Sequence, residues 1–231
     1  MCGRYTLTKP KDLGPYFPNV ELPPKEALRP RFNIAPTQPV MALANNRPER
    51  FDYFHWGLIP SWAKDPSIGN RMINARAETL AQKPAFRSAL RRRRCLVPAD
   101  GFYEWRKEAD GKTKTPMYIR LKSGEPFAFA GLWEVWHAPD GSVVPSCTLV
   151  TGEPNEVVRP VHDRMVVILP RDRYDQWLDP GEQRAAKLEE LLKPYPAEEM
   201  EAYEVSRTVN NPKNDVPACV ASPAGPGAGE G

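Results

Sequence analysis

Polar and apolar positions alternate along residues 4–8 in the manner of a β-strand, so the amino terminus is expected to be held by a sheet instead of fraying. Apolar runs at 40–44, 51–57 and 95–98 predict further strands, and 31–37, with Asn33 and Pro36, reads as an ordered loop. Two longer strand-like stretches, 102–121 and 127–151, each contain a hairpin signal, Asp110-Gly111 and Asp140-Gly141. Their consequence is a meandering antiparallel sheet rich in Trp and Phe. In the strand starting at Phe102, alternation sets Phe102 and Glu104 on one face and Tyr103 and Trp105 on the other. A very apolar strand at 166–169 and a further one at 201–205 follow, the latter leading into a polar loop at 206–215.

Helical spacing is confined to short pieces at 84–94, 154–161, 171–178 and 182–193, the last with Leu188, Leu191 and Leu192 on one side. The four arginines at 91–94 read as the solvated end of the first of these, where cations complement the helix dipole. Together the elements predict an α+β fold: a single β-rich domain over 1–220 with an antiparallel, barrel-like sheet and a few short peripheral helices. The stretch 221–231, mostly Ser, Pro, Ala and Gly, is expected to be a disordered tail.

Composition changes this picture only at the margins. The 27 prolines against 15 glycines in 231 residues argue for stiff loops between short elements. No apolar run reaches the roughly 18 residues of a membrane span, and no charged-then-apolar leader opens the chain, which predicts a cytoplasmic protein. A net charge of +3 does not itself indicate a nucleic-acid binder, although the 32 Lys and Arg could share a face. The four cysteines have no C-x-x-C spacing, so no zinc site, disulfide framework or cofactor is expected, and Cys95 and Cys147 read as buried thiols. No apolar oligomerisation stripe is visible, and a monomer is expected.

The chemistry worth most is at position 2. Removal of Met1, by an aminopeptidase or by the protein itself, would give Cys2 both an α-amine and a thiol, with ordinary pKa values of about 8 and about 8.5. Such a pair condenses with an aldehyde to an imine and then closes a thiazolidine through sulfur. Glu104, flanked by aromatics, has a position where burial would raise its pKa and suit it to proton transfer. His162, in His162-Asp163-Arg164 ahead of the buried strand, is placed for a cleft, with Asp163 or a backbone carbonyl able to fix its tautomer. Trp56 and Trp62 flank one loop, where they serve either as anchors or as a binding surface.

Six stretches occur in one order: Met1-Cys2-Gly3-Arg4-Tyr5, Arg31-Phe32-Asn33-Ile34-Ala35-Pro36, Trp56-Gly57-Leu58-Ile59-Pro60-Ser61-Trp62, Ile73-Asn74-Ala75-Arg76-Ala77-Glu78, Pro98-Ala99-Asp100-Gly101-Phe102-Tyr103-Glu104-Trp105 and His162-Asp163-Arg164-Met165. In this the chain resembles the SOS-response-associated peptidase family, from Met1 to about Pro217. The resemblance implies a protein that shields abasic sites in single-stranded DNA by a covalent crosslink, with possible autopeptidase and lyase activity. It implies Cys2 as nucleophile, completed by Asn74, Glu104 and His162, with Asn74 orienting by hydrogen bonds and the other two moving protons. It also implies DNA contacts from Arg4, Arg76 and Asn33, with the Pro36 and Trp62 loops stacking on or wedging against bases. The alternatives are a thiol peptidase using a Cys2–His162 pair and a noncatalytic single-strand binding module.

Overall fold

A ring of five strands closes on itself at the centre of the molecule. The computed structural model describes residues 2–223. The expected loss of Met1, and 224–231 of the expected tail, lie outside the described residues. Strands β1 (Arg4–Leu7), β2 (Arg31–Ile34), β3 (Pro39–Ala44), β4 (Asp52–Trp56) and β5 (Asn74–Arg76) are followed by β6 (Arg94–Ala99), β7 (Gly101–Lys107), β8 (Lys114–Leu121) and β9 (Phe127–His137). Then come β10 (Val143–Gly152), β11 (Met165–Val166), β12 (Ile168–Leu169) and β13 (Met200–Glu204). The ring runs β10-β4-β3-β6-β9 and closes through the β9–β10 pairing, which removes its free edges. A second, five-stranded sheet has the order β13-β8-β7-β1-β2 and is antiparallel throughout.

The β-rich, barrel-like architecture is the expected one, with one refinement. Strand β10 pairs in parallel with both β4 and β5, so the large sheet is mixed. Short sequence runs cannot announce this, because a parallel neighbour arrives from a distant part of the chain. The hairpin turns stand where Asp-Gly marks them. Gly111 and Gly141 have φ of 67° and 86°, and the Asp110 carboxylate accepts the amide N–H of Lys112 and Thr113 at 2.8 Å each.

Strand β6 is buried along its whole length. Tyr5 and Phe102 from the second sheet meet Phe129 of the barrel edge-on, with centroids 5.6 and 6.1 Å apart, and so join the two sheets. The alternation expected in β7 holds: Phe102 lies in this main core, while Tyr103 and Trp105 face a smaller cluster with Tyr118, Val205 and Val209. The 31–37 segment, expected as a loop, is strand β2 in its first half.

The helices are shorter than their sequence patterns. Helix α1 covers Arg87–Arg92, α2 Tyr174–Leu178 and α3 only Ala185–Glu189, while 154–161 forms turns. Leu188 and Leu192 are nonetheless buried, since packing and not helical length is what the periodic leucines serve. The arginine run also departs from expectation. Arg91 and Arg92 are exposed, but Arg93 reaches Glu134 at 2.8 Å and Arg94 is fully buried in β6. Arg94 donates to Leu90 O at 2.9 Å, Trp177 O at 2.8 Å and Gly181 O at 3.2 Å, and also to Asp179 O. The carbonyls around the ends of α1 and α2 need donors once water is excluded, and one guanidinium supplies them.

Candidate active site

Strand β1 carries the amino-terminal residues between β2 and β7. Its register, Arg4 opposite Tyr103 and Tyr5 opposite Phe102, brings Glu104 alongside the start of the chain. At the other end of β1, Asp100 accepts from Thr6 Oγ1 at 2.5 Å and from the Thr8 N–H and hydroxyl at 2.5 and 2.7 Å, while Tyr118 OH lies 2.8 Å from Thr6 Oγ1. The strand next to Cys2 is thereby held in a sheet, as the alternation at 4–8 predicts.

Cys2 is 1% exposed. Burial pushes its thiol well above the ordinary value, and the nearby Glu104 charge adds to this. An ordinary, partly ionised thiol is therefore not what the folded chain holds. Glu104 is 3% exposed, and burial raises its carboxyl from an ordinary 4.5 to about 7. A buried carboxyl next to a buried thiol can take the thiol proton when sulfur reacts.

Asn74 opens β5, whose parallel pairing sets it opposite Leu149 of β10. Its Nδ2 donates to the Cys2 carbonyl at 2.8 Å, while its buried Oδ1 has no hydrogen-bond partner among the described residues. An acceptor kept dry and unused costs about 1–3 kcal/mol, so its presence points to a donor brought by a substrate or by a changed terminus. The segment returns to β10 after a wide loop that crosses itself at Gly57 and Gly69. A Cβ on Gly57 would stand 2.6 Å from Gly69 O, and φ at Gly57 is 139°, so neither the space nor the backbone admits a side chain there.

His162 lies in the turn before β11, which pairs with the same end of β10: Thr151 faces Val166. Nδ1 accepts the Arg164 amide N–H at 3.0 Å, which leaves the proton of the neutral ring on Nε2. Asp163 Oδ1 stands 2.9 Å from the same Nδ1. One nitrogen cannot serve both, so the amide holds the neutral ring and the 88% exposed Asp163 serves only a protonated one. The tautomer is thus fixed by a backbone N–H, where the sequence suggested Asp163 or a carbonyl. Burial lowers the His162 pKa, keeping the ring neutral near pH 7.

The structure brings Cys2, Asn74 and Glu104 together, and the Asp163 charge felt by Glu104 ties the His162 turn to them. The expected DNA contacts stand in more varied surroundings. Arg76 is exposed, Trp62 is 61% exposed and Pro36 is half-buried. Trp56 is fully buried and donates to Ile73 O at 2.9 Å, so the two tryptophans of that loop divide into an anchor and an exposed ring. Arg4 is engaged by Asn33 Oδ1 at 2.8 Å and Val209 O at 2.7 Å, with its guanidinium 5.8 Å from the Trp105 ring centre. Asn33 is fully buried, and its amide donates to Val209, Asn211 and Asn214 carbonyls at 3.2, 3.1 and 2.8 Å. It supports Arg4 and the 209–214 loop from beneath.

Residues without a motif of their own complete the surroundings. Asp215 accepts the amide N–H of Phe32 at 2.5 Å and of Asn33 at 3.0 Å, and Trp105 Nε1 donates to Asn210 Oδ1 at 2.8 Å. No group of three or more His, Cys, Asp or Glu able to hold a metal occurs among the described residues, and no helix among them is long and apolar enough to cross a membrane.

A closed barrel joined to a five-stranded sheet, with a buried cysteine near the amino terminus bonded to an amide and flanked by an acid, defines a class. The chain belongs to the SOS response associated peptidase (SRAP) family, whose model matches residues 1–212. It is 47% identical over 224 residues to the abasic site processing protein YoqW of Bacillus subtilis, covering 96% of this chain and all of that one. To the abasic site processing protein YoaM of the same organism it is 49% identical over 217 residues, covering 93% and 95%. A crystal structure of a protein from Bacteroides thetaiotaomicron superposes with a TM-score of 0.85 at 26% identity, covering 96% of this chain and 99% of that one.

Proposed function

We propose that the protein shields abasic sites in single-stranded DNA by a covalent crosslink through Cys2. The observation that carries this reading is a buried Cys2 joined to Asn74 and flanked by Glu104 in a chain whose relatives process abasic sites. With Met1 removed, by itself or by an aminopeptidase, the Cys2 amine adds to the aldehyde of the ring-opened sugar. Loss of water from the carbinolamine gives the imine. Sulfur then adds to the imine carbon: the thiol proton goes to Glu104, the C=N electron pair returns to nitrogen, and that nitrogen takes up a proton as the thiazolidine closes. Glu104, poised near neutrality, and neutral His162 exchange these protons, and Asn74 Oδ1 accepts from the new amine or a sugar hydroxyl.

Arg4, Arg76 and Trp62 hold backbone and bases around the lesion, with Pro36 at the edge and Asn33 acting through Arg4. The domain, 1–220 in the sequence, acts as a cytoplasmic monomer, with lyase activity, elimination at the abasic sugar, as a further activity. A thiol peptidase using Cys2 and His162 is the second reading, favoured by the family's description. Against it stands redundancy: peptide cleavage needs the Cys2 thiol but not an α-amine on the same residue.

The test is to incubate the protein with a single-stranded oligonucleotide bearing one abasic site and look for a heat-stable shifted band. Cys2→Ala and a residue inserted before Cys2 should both remove the band. Absence of an adduct with wild type, or an equal and equally stable one with Cys2→Ala, would overturn the thiazolidine. Generic peptide cleavage dependent on Cys2 and His162 would support the peptidase, and binding without either reaction the noncatalytic module.

A further inference from the structure

Thr151, in β10, is flanked by Arg76 of β5 on one side and Val166 of β11 on the other. Those two neighbours lead to the segments that carry Asn74 and His162. Across this junction lies the Arg164 side chain. Its Nη2 donates to Thr151 O at 2.7 Å and to Glu78 Oε2 at 3.0 Å, and its Nε lies 3.4 Å from Thr151 Oγ1. The backbone N–H of the same residue is the donor that sets His162 Nδ1. Arg164 therefore holds the imidazole with its main chain while its side chain is held by β10 and by the segment following Asn74.

Resting on the crosslinking reading above, we infer that Glu78 is a positioning residue, which through Arg164 fixes the orientation and tautomer of His162 relative to Asn74. The Arg164 side chain is 15% exposed and that of Glu78 48%. An ion pair this open to water contributes little to global stability. A carboxylate of small energetic weight, spanning two segments that each supply a site residue, serves geometry. Without Glu78 the Arg164 side chain keeps Thr151 but loses the partner across the junction. The 162–164 turn is then free to rotate, the amide N–H leaves Nδ1, and the exposed Asp163 carboxylate competes for that nitrogen. A proton on Nδ1 leaves Nε2 bare, and the ring changes from donor to acceptor on its other side.

The experiment compares wild type, Glu78→Ala and Glu78→Gln in single-turnover crosslinking to an abasic oligonucleotide over a range of DNA concentrations. Outer residues that orient a histidine typically alter activity 10–100-fold, so the maximal rate of Glu78→Ala is expected to fall about tenfold or more. The half-saturating DNA concentration should stay within about twofold, since no phosphate contact is removed. Glu78→Gln, which keeps an acceptor for Arg164, should recover part of the rate, and it replaces the alanine variant should that one not fold. The second readout is the ¹⁵N spectrum of His162, in which Nδ1 protonation should increase in Glu78→Ala, whereas a merely structural residue would leave the tautomer alone. A maximal rate within about twofold of wild type, or an unchanged tautomer, overturns the proposal. Should wild type itself form no adduct, the crosslinking reading fails while the tautomer measurement still decides the role of Glu78.

Discussion

Replacing Glu104 by Gln is expected to stabilise the protein while slowing its chemistry, and the size of the effect follows from one shift. The unfolded carboxyl releases its proton around its ordinary 4.5, whereas the buried one holds it to about 7. Between those values the native state binds more protons than the unfolded state, so stability falls as pH rises, and above pH 7 the full cost of a buried carboxylate is present. For one such group the linkage between pH 5 and pH 8 amounts to about 2–3 kcal/mol. Gln has nearly the same shape and does not titrate. Urea unfolding of both proteins at pH 5, 6, 7 and 8 should therefore show the stability difference moving in the variant's favour by about 2–3 kcal/mol across the range. The same variant should crosslink more slowly, because a neutral amide cannot take the Cys2 proton. A difference between the proteins that stays constant with pH to within about 0.5 kcal/mol would refute the raised carboxyl and, with it, the role of Glu104 as a base near neutrality.

Arg94→Met should destabilise the fold by about 3 kcal/mol or more, measured by denaturant unfolding, because it strands the buried carbonyls of Leu90 and Trp177 and removes the donor shared by those of Asp179 and Gly181. Asn74→Ala removes the 2.8 Å bond to Cys2 O at a stability cost of only about 1 kcal/mol, yet it should reduce the crosslinking rate by a larger factor, which single-turnover kinetics would reveal. Trp62→Ala should weaken single-strand binding by about 1–3 kcal/mol in a fluorescence titration while leaving the melting temperature unchanged, since its ring is already exposed.

Much of the architecture was legible because it is local. Asp110-Gly111 and Asp140-Gly141 announce their turns, and the alternation at 102–105 correctly divides Glu104 from Trp105. What was not legible is decided across long separations. Arg94 looked solvated because three arginines precede it, and only the arrival of residues 177–181 reveals a buried donor. Asn33 looked available in a loop until the 209–214 carbonyls consumed its amide. The periodic leucines of 182–193 marked a buried face but overstated the helix. Within the site, Cys2, Glu104 and His162 could be suspected from their chemistry, but Asn74 emerged only through resemblance. Nothing in its sequence neighbours signals that β5 will lie in parallel beside β10.

Arg4 is bound by the carbonyl of Val209, and Asp215 ties down the amides of Phe32 and Asn33. On a ribosome these partners are made about 200 residues apart, at a synthesis rate of roughly 5–20 residues per second. The first strand to emerge thus waits some tens of seconds for the loop that completes its surroundings, and contacts of such long range are slow to close. A nascent chain therefore exposes its amino-terminal strand before residues 209–215 exist to hold it. Arg4, on the first strand made, is thus among the last side chains to gain its folded partners.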